Sequence, residues 1–531
     1  MVGLLLGFLF LPQPDTMTTR IGLLTALAAV QVGVAAWFAR RQRTRLLAPA
    51  WIIAISFVIA AVLASIFIAP WPNSSDEYGV TYLADTLRHG RLWNPPAPVA
   101  DLFDTFWIFE KDGKRVSQYA PGWSVVLIPF RQLGIETLGA PLALLGSGLL
   151  LASALRSVGT STQGTTFLLT LTILAPFTLF NGASLFPMTL AGMLVLAIIC
   201  LQIRDDKAPR TTNRLLIGLA FSALLTVRTE VFGILALFYG LDRVVVRGRH
   251  VFADLPAYAI GALPLTALFM AYNFAITGNP IVPPFSWVRA TQSLGIGASA
   301  DAFPFRTAFW NEQVWFGLLC GFGGVPLLIL YGFAIARKLR SMSLRYYDLL
   351  PIGAVGFFFF FLDIGGHQFG PRYWYFAFPP MALTVAALQA DEAGWISLAG
   401  WRLHGPSFAS ICAAGFLATT VVIAPTFLIY AHARRQVYDP LPASLPAVVL
   451  IPTRHLTVFP WQFRPYLAEA KDFTRNDAAY EGKILYGHAD SPSAIDRACS
   501  LPGRSVYLWE ESRTLRPVTC PGRGPGPSVT K

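Results

Sequence analysis

Charged side chains are scarce in this chain. Asp, Glu, Lys and Arg together make up only 13% of its 531 residues, whereas soluble proteins average roughly a quarter. Apolar residues make up 54%, and the mean hydropathy is +0.53. This balance excludes an ordinary soluble domain and indicates a polytopic membrane protein.

The chain also lacks the residue spacing of a metal site. It has five cysteines, and no CxxC or Cys/His pattern joins them. Cys200, Cys320 and Cys412 lie singly in apolar segments, which is typical of packing residues. Cys499 and Cys520 share the polar C-terminal tail, so we predict a disulfide between them if the tail is extracytoplasmic.

The net charge of +12 does not indicate nucleic-acid binding. The basic residues fall in short clusters between apolar runs, which is the distribution that membrane topology produces. These clusters are 40–45, Arg156, 204–214, 243–250, 337–345 and Arg402. We expect all six on the cytoplasmic side.

Apolar runs long enough to cross a bilayer, about 20 residues each, recur along the chain. They are 20–38, 47–69, 137–155, 163–181, 184–203, 254–272, 314–336, 347–364, 373–391 and 407–430. The longer run 215–242 is interrupted by Arg228-Thr229-Glu230, and we predict two short helices that turn there. Whether residues 1–12 also span stays open. The fold class predicted is an all-α polytopic membrane protein with about 12–13 transmembrane helices.

This order of spans leaves most of the polar sequence on the other side. That side receives the long first loop 70–136, the Arg228–Glu230 turn, the loop 273–313, the link 363–372 and the tail. Alternating stretches at 483–487 and 505–510 predict strands of a small α/β or β domain in the tail. We expect three regions: 1–45 with extra spans, a core over 46–430, and the tail 431–531.

An acidic pair, Asp76-Glu77, opens the first long loop. A helix is predicted from Asp76 to about His89, and Asp76 falls on the apolar face of that helix. Ser74 and Glu77 have the spacing of a capping box. The cap accounts for Glu77, whereas a carboxylate on the buried face needs a partner. A helix cap and a functional site are both compatible with this pattern.

Other polar groups are predicted at the same membrane face. They include His367 and Arg372 in the link before a span, Arg228 in the interrupted run, and Tyr119 before a short apolar segment. Each has a simpler interpretation: Arg372 as an interfacial residue in an aromatic belt, and Arg228 as the ion-pair partner of Glu230. Together they describe a site for a lipid phosphate beside a carboxylate able to deprotonate a hydroxyl.

Five segments, in order, carry a resemblance to a known family. They are "SSDEYGVTYLADTLRHGRL", "KDGKRVSQYAPGWSVVLIP", "RTE", "YNFAITGNPIVPP" and "HQFGPRYW". Over about residues 47–390 the chain resembles the GT-C superfamily of integral membrane glycosyltransferases that use polyprenyl-phosphate sugars. Within it the chain is most similar to the protein O-mannosyltransferase and aminoarabinose-transferase branch and its bacterial relatives.

The resemblance implies hexosyl or pentosyl transfer with inversion from a polyprenyl-phosphate donor to an extracytoplasmic hydroxyl. It makes Asp76 the general base, and Glu77 a residue that orients the acceptor or stabilises the fold around it. Arg372 and Arg228 would neutralise the leaving phosphate. Tyr119 and His367 would contact phosphate or sugar.

The resemblance leaves several points open. Some family members use a divalent metal, and here no ligand cluster beyond Asp76 and Glu77 supports one. The acceptor is a protein, a lipid or a polysaccharide, and nucleic acid is not an expected partner. A bacterial inner membrane is the expected location. The competing functions are a transporter or lipid flippase of the cell envelope, and a non-catalytic scaffold.

Overall fold

Helices dominate the computed structural model of this chain. It describes residues 17–288, 305–360, 369–398, 401–452 and 475–521, apart from residues 43, 45, 69–71, 73, 106, 390, 391, 393 and 511. The helices are α1 (Met17–Arg41), α2 (Pro49–Val62), α3 (Ser75–Arg88), α4 (Pro121–Gln132), α5 (Gly139–Ser157), α6 (Thr162–Ile173), α7 (Pro176–Asn181), α8 (Met188–Lys207), α9 (Thr211–Val227), α10 (Thr229–Arg247), α11 (Val251–Thr277), α12 (Pro284–Val288), α13 (Phe305–Gly321), α14 (Val325–Arg340), α15 (Tyr346–Phe359), α16 (Met381–Val385), α17 (Gly405–Gln436) and α18 (Ala494–Ser500).

Several of these helices are long and apolar enough to cross a membrane. Five pass that test among the described residues, or six when the bent pair α13 and α14 counts as one span. Two shorter apolar helices, α9 and α15, come close to the required length. The predicted polytopic helical class is confirmed. Within the described residues fewer helices than the predicted 12–13 pass the length test, because several apolar runs consist of shorter pieces and because α10 and α11 count as one stretch, Thr229–Thr277.

Three predicted spans are broken at identifiable residues. The run 163–181 is divided between α6 and α7, where Pro176 begins the second helix and cannot donate a backbone hydrogen bond to the first. The run 314–336 turns by 113° at Gly323, whose φ is +77°. The run 373–391 becomes a 3₁₀ turn, Arg372–Ala377, followed by the five-residue helix α16.

The interrupted run has the predicted form of two short helices. α9 ends at Val227 and α10 begins at Thr229, with Arg228 in an extended conformation (φ −150°, ψ 94°) between them. A non-helical residue between two spans leaves backbone groups to be satisfied by neighbours rather than by lipid. The charged side chain of Arg228 therefore lies at the junction of the two helices.

Basic and acidic side chains are paired at one end of the bundle. Arg214 and Arg247 both pair with Asp205, at 3.1 and 3.4 Å, and Arg345 pairs with Asp206 at 2.8 Å. These ion pairs join three of the basic clusters that the sequence placed on one side. We refer to this part of the molecule as the basic end.

A hairpin and a short helix follow α3 in the first long loop. Strands β1 (Ile108–Lys111) and β2 (Lys114–Ser117) pair antiparallel, with Lys111 opposite Lys114. Helix α4 packs closely on the end of α9, because Gly122 has no side chain. A Cβ there would lie 2.8 Å from the backbone carbonyl carbon of Thr226. The hairpin and α4 thus bring the segment around Tyr119 to the junction of α9 and α10.

The tail folds as a small α/β unit. A separate hairpin, β3 (Trp395–Leu398) and β4 (Trp401–His404), precedes the tail. The tail has one four-stranded sheet in the order β6-β5-β7-β8. Its strands are β5 (Ala447–Ile451), β6 (Ile484–His488), β7 (Ser505–Trp509) and β8 (Leu515–Val518). Strand β5 runs parallel to β6 and β7, and β8 is antiparallel. The predicted cysteine pair, Cys499 and Cys520, forms a disulfide with a Cα–Cα distance of 5.4 Å.

The tail sheet is docked on the first long loop. The Tyr480 hydroxyl donates to the Phe103 carbonyl at 3.1 Å, and the His488 Nε2 donates to the Asp104 carbonyl at 3.0 Å. Phe103 and Tyr480 also pack ring to ring, with centroids 4.7 Å apart. The tail therefore supports the same loop that carries the acidic pair.

Candidate functional site

The first turn of α3 holds the acidic pair in place. Ser74 precedes the helix in an extended conformation, and its hydroxyl accepts from the Glu77 backbone N–H at 3.2 Å. The predicted Ser74 cap is present. The Glu77 carboxylate also accepts from the Leu185 backbone N–H, at 2.8 Å. This bond ties α3 to the turn between α7 and α8.

The burial of the two acids is the reverse of the prediction. Glu77 is completely buried, whereas the Asp76 side chain keeps 25% of its surface exposed. The helical stripe of α3 alone placed Asp76 on the buried face. The segment around Leu185, 108 residues away, instead covers Glu77. Asp76 is consequently the acid with room for a substrate.

Tyr119 reaches Asp76 from the end of β2. Its hydroxyl donates to Asp76 Oδ1 in a short hydrogen bond. Gly79 makes this approach possible, because a Cβ there would lie 2.7 Å from the Tyr119 ring. Ser117, two residues before the tyrosine, donates to the Gly79 carbonyl at 2.8 Å and fixes the strand against α3.

Tyr119 is a permanent donor in this arrangement. Burial, reinforced by the negative charge of Asp76, raises the pKa of the Tyr119 phenol well above its ordinary value. A phenol in an apolar environment and beside an anion loses its proton less readily. Tyr119 therefore stays protonated at physiological pH and orients one oxygen of Asp76.

Arg372 occupies the other oxygen of Asp76. Its Nη2 lies 3.0 Å from Asp76 Oδ2, although 296 residues separate the two in sequence. Arg372 is 2% exposed, and its guanidinium carbon lies 4.0 Å from the centroid of the Phe186 ring. Gly370 precedes it with a φ of +89°, so the chain turns sharply into the site.

Arg228 lies near Arg372 across a shared aromatic ring. The guanidinium carbons of Arg228 and Arg372 lie 5.5 and 5.6 Å from the centroid of Tyr373. Arg228 pairs with Glu230, as the simpler sequence interpretation holds. Its buried Nε has no hydrogen-bond acceptor among the described residues. Donor capacity toward an anion therefore remains on this side of the site.

Arg115 is a supporting residue that the sequence analysis missed. It is 2% exposed, and its Nη2 donates to the Phe103 carbonyl at 3.2 Å and to the Thr105 hydroxyl at 3.3 Å. Its guanidinium carbon lies 4.3 Å from the ring centroid of Tyr480 and 5.5 Å from that of Tyr82. The hairpin that presents the site thus packs against both α3 and the tail.

Glu77 does not join Asp76 at the site. His367 lies outside the described residues. Asp76 and Glu77 diverge, the first toward Tyr119 and Arg372 and the second toward Leu185. Within the described part of the chain no cluster of three His, Cys, Asp or Glu side chains could hold a metal. The two acids therefore do not fit as joint ligands of a divalent cation.

Two solved structures resemble this chain over most of its length. One is ArnT from Cupriavidus metallidurans bound to undecaprenyl phosphate, with 13% identity and a TM-score of 0.52, covering 87% of this chain and 93% of that one. The apo state of ArnT matches over the same shares with a TM-score of 0.50. The mycobacterial arabinofuranosyltransferase AftD matches with 16% identity, a TM-score of 0.40, and coverage of 77% of this chain and 30% of that one.

Sequence comparison adds no closer relative. No family model matches the chain, and no curated protein is similar to it in sequence. The structural likeness to ArnT extends over most of this chain and nearly the whole neighbour. The chain therefore shares the overall fold of ArnT, in agreement with the fold that the sequence resemblance implied.

Proposed function

We propose that this integral membrane protein is a glycosyltransferase. It transfers a hexosyl or pentosyl group from a polyprenyl-phosphate donor to an acceptor hydroxyl, with inversion at the anomeric carbon. Asp76 is the general base. The observation that carries the proposal is the partly exposed Asp76 carboxylate, held between a tyrosine hydroxyl and a buried arginine.

A phosphate fits beside this carboxylate. Arg372 and Arg228 flank Tyr373 on the same side of the bundle, and charge-assisted hydrogen bonds from arginine suit phosphate oxygens. The structural neighbour bound to undecaprenyl phosphate supports a polyprenyl lipid as the carrier. Both observations favour a donor whose phosphate lies at the two arginines.

Phosphate binding also explains how Asp76 becomes available. Arg372 is paired with Asp76 Oδ2 at 3.0 Å. A donor phosphate competes for the same guanidinium and draws it away from the carboxylate. Tyr119 keeps Oδ1 in place meanwhile, so Oδ2 is free to accept a proton from the acceptor hydroxyl.

The chemical step then balances without a cofactor. The acceptor O–H bond breaks and its proton moves to Asp76. The acceptor oxygen forms a bond to the anomeric carbon from the face opposite the phosphate. The bond between that carbon and the phosphate oxygen breaks, and the electron pair leaves on polyprenyl phosphate, where the arginines stabilise the added negative charge.

The surroundings of the site favour an extracytoplasmic reaction in a bacterial inner membrane. Helix α10 runs from Arg228 at the site to Arg247 at the basic end, and basic clusters mark the cytoplasmic side in such membranes. The disulfide-bonded tail beside the site also fits an oxidising compartment. A protein, a lipid or a polysaccharide can serve as acceptor from that side.

The principal competitor is a transporter or lipid flippase. Transporters bind their substrates near the bilayer midplane, whereas Asp76, Tyr119 and Arg372 meet where a long loop leaves the bundle. The test is to reconstitute the purified protein in vesicles with radiolabelled polyprenyl-phosphate sugars and an envelope extract. Sugar transfer to the extract supports the enzyme. Translocation of labelled donor across the vesicle, with no transfer from any donor, would refute it.

A further inference from the structure

A cavity opens at the basic end, far from the acidic pair. It has a volume of about 950 Å³ and lies between α14 and the segment leading to β3. Its lining includes Ile329, Phe333, Arg337, Arg340 and Gln389. The 14-residue helix α15 connects this end with the site end, so roughly 20 Å separates the two regions at 1.5 Å per residue.

The α14 face of this cavity changes character along the helix. Ile329, Phe333, Arg337 and Arg340 follow one another at helical spacing, so they form one stripe. The apolar half lies toward the helix start, where Phe333 is 42% exposed and Ile329 is partly buried. The basic half lies in the last turn, where the polypeptide leaves the apolar segment. This order matches an amphipathic ligand with an apolar chain and an anionic head.

The two arginines differ from the paired cations beside them in sequence. Arg345 is paired with Asp206 and Asp242, and Lys338, between the two arginines, is paired with Asp348. Across the described residues, neither Arg337 nor Arg340 has a carboxylate within 4.0 Å or any acceptor for its guanidinium. Their donors remain available to a ligand in the cavity.

Neutral polar groups complete the head region of the cavity. Ser341 and Ser397 line it beside the arginines. Gln389 lines it as well, although its buried Nε2 lies against Gly164. The cavity therefore offers hydroxyl groups beside two arginines that, among the described residues, have no paired carboxylate.

We propose that this cavity binds one anionic phospholipid from the leaflet at the basic end. The phosphate head lies at Arg337 and Arg340, and an acyl chain follows Phe333 and Ile329 along α14. Basic pockets between transmembrane helices recognise anionic head groups in this way. The site is separate from the sugar-transfer site, and its existence does not depend on the proposed function.

The test uses the full-length protein, delipidated in detergent and examined by native mass spectrometry. Phosphatidylglycerol is titrated in, with phosphatidylcholine of the same acyl chains and inorganic phosphate as separate arms. We expect one tightly retained phosphatidylglycerol and no comparable retention of phosphatidylcholine. Arg337→Gln/Arg340→Gln should weaken retention by about thirtyfold, which corresponds to about 1 kcal/mol for each charge.

A matched control separates the cavity from general charge. Arg210→Gln/Arg249→Gln removes two exposed arginines from the same end that do not line the cavity and have no ion-pair partner among the residues described. It should bind phosphatidylglycerol like the wild type. Equal loss in both double variants would refute the site, and so would equal retention of both lipids. If inorganic phosphate displaces the lipid fully, the ligand is a free anion and the lipid proposal is wrong. If the double variant unfolds, the single variants Arg337→Gln and Arg340→Gln replace it.

Discussion

Replacing Glu77 distinguishes a supporting acid from a reacting one. Its carboxylate is fully buried and accepts from the Leu185 N–H at 2.8 Å. In Glu77→Gln an amide oxygen can still accept that hydrogen bond, but without the charge. Hydrogen bonds to charged groups contribute about 1.5–3 kcal/mol and neutral ones about 0.5–1.5. We therefore expect a loss of about 1 kcal/mol in stability.

Glu77→Ala should be considerably worse. It leaves the buried Leu185 N–H without this acceptor, which costs about 1–3 kcal/mol, and it opens a cavity in a closely packed region. The expected total is about 3–5 kcal/mol. Thermal unfolding of the purified protein should rank wild type, Glu77→Gln and Glu77→Ala in that order of decreasing midpoint.

Transfer kinetics on the same variants complete the test. Glu77→Gln should keep a rate close to that of the wild type, because the first turn of α3 stays in place. Glu77→Ala should lose rate in proportion to the fraction of misfolded protein. If Glu77→Gln abolished transfer while its unfolding midpoint stayed unchanged, Glu77 would act on the substrate itself, and the supporting role assigned to it would be wrong.

Three further predictions concern the groups around the acidic pair. Tyr119→Phe removes a donor to Asp76 and should lower kcat roughly 10- to 100-fold, as expected for losing a hydrogen bond of about 1.5–3 kcal/mol to a charged group. The donor KM should not change, and because burial raises the Tyr119 pKa above its ordinary 10.0, the wild type should show no alkaline loss from this group below that pH. Arg228→Gln should raise the donor KM more than it lowers kcat in steady-state assays, because Arg228 lies beside Tyr373 and its ion-pair partner is Glu230 rather than Asp76. Cys499→Ser/Cys520→Ser should destabilise the tail by about 3 kcal/mol, measured as faster proteolysis of the tail while the membrane core stays intact.

Each of these predictions has a contradicting result. An unchanged kcat in Tyr119→Phe would show that the hydroxyl does not orient Asp76. A fall in kcat with an unchanged donor KM in Arg228→Gln would move this residue from donor binding to the chemical step. Equal proteolysis of the wild type and the double serine variant would remove the stabilising role of the disulfide.

Local signals in the sequence predicted local structure well. Ser74 predicted the start of α3, and the charged interruption at Arg228 predicted the break between α9 and α10. The prediction of membrane spans rested on the length of apolar runs and ignored turn residues inside them. It therefore missed the breaks at Pro176 and Gly323. Both residues were visible signals, since proline removes a donor and glycine permits a positive φ.

The site itself could be predicted only in part. The predicted membrane topology placed Asp76 and Arg372 at the same membrane face but predicted no contact between them. In the structure the two residues form an ion pair. The orientation of the two acids could not be predicted from local sequence, because Glu77 is buried by a distant segment that the periodicity of α3 cannot reveal. Arg115 gave no signal at all: a charge in a polar hairpin is usually solvated, and its aromatic partner Tyr480 comes from the tail.

The central claim is that Asp76 removes the proton from the acceptor. The most direct measurement is single-turnover transfer of labelled sugar by Asp76→Asn in proteoliposomes, once a donor for the wild type is identified. Asp85→Asn is the matched control, since Asp85 lies on the same helix and pairs with Arg131 instead. We expect a rate at least about hundredfold lower for Asp76→Asn with donor binding retained, and near-normal transfer for Asp85→Asn. A folded Asp76→Asn protein that transfers sugar at the wild-type rate would contradict this claim.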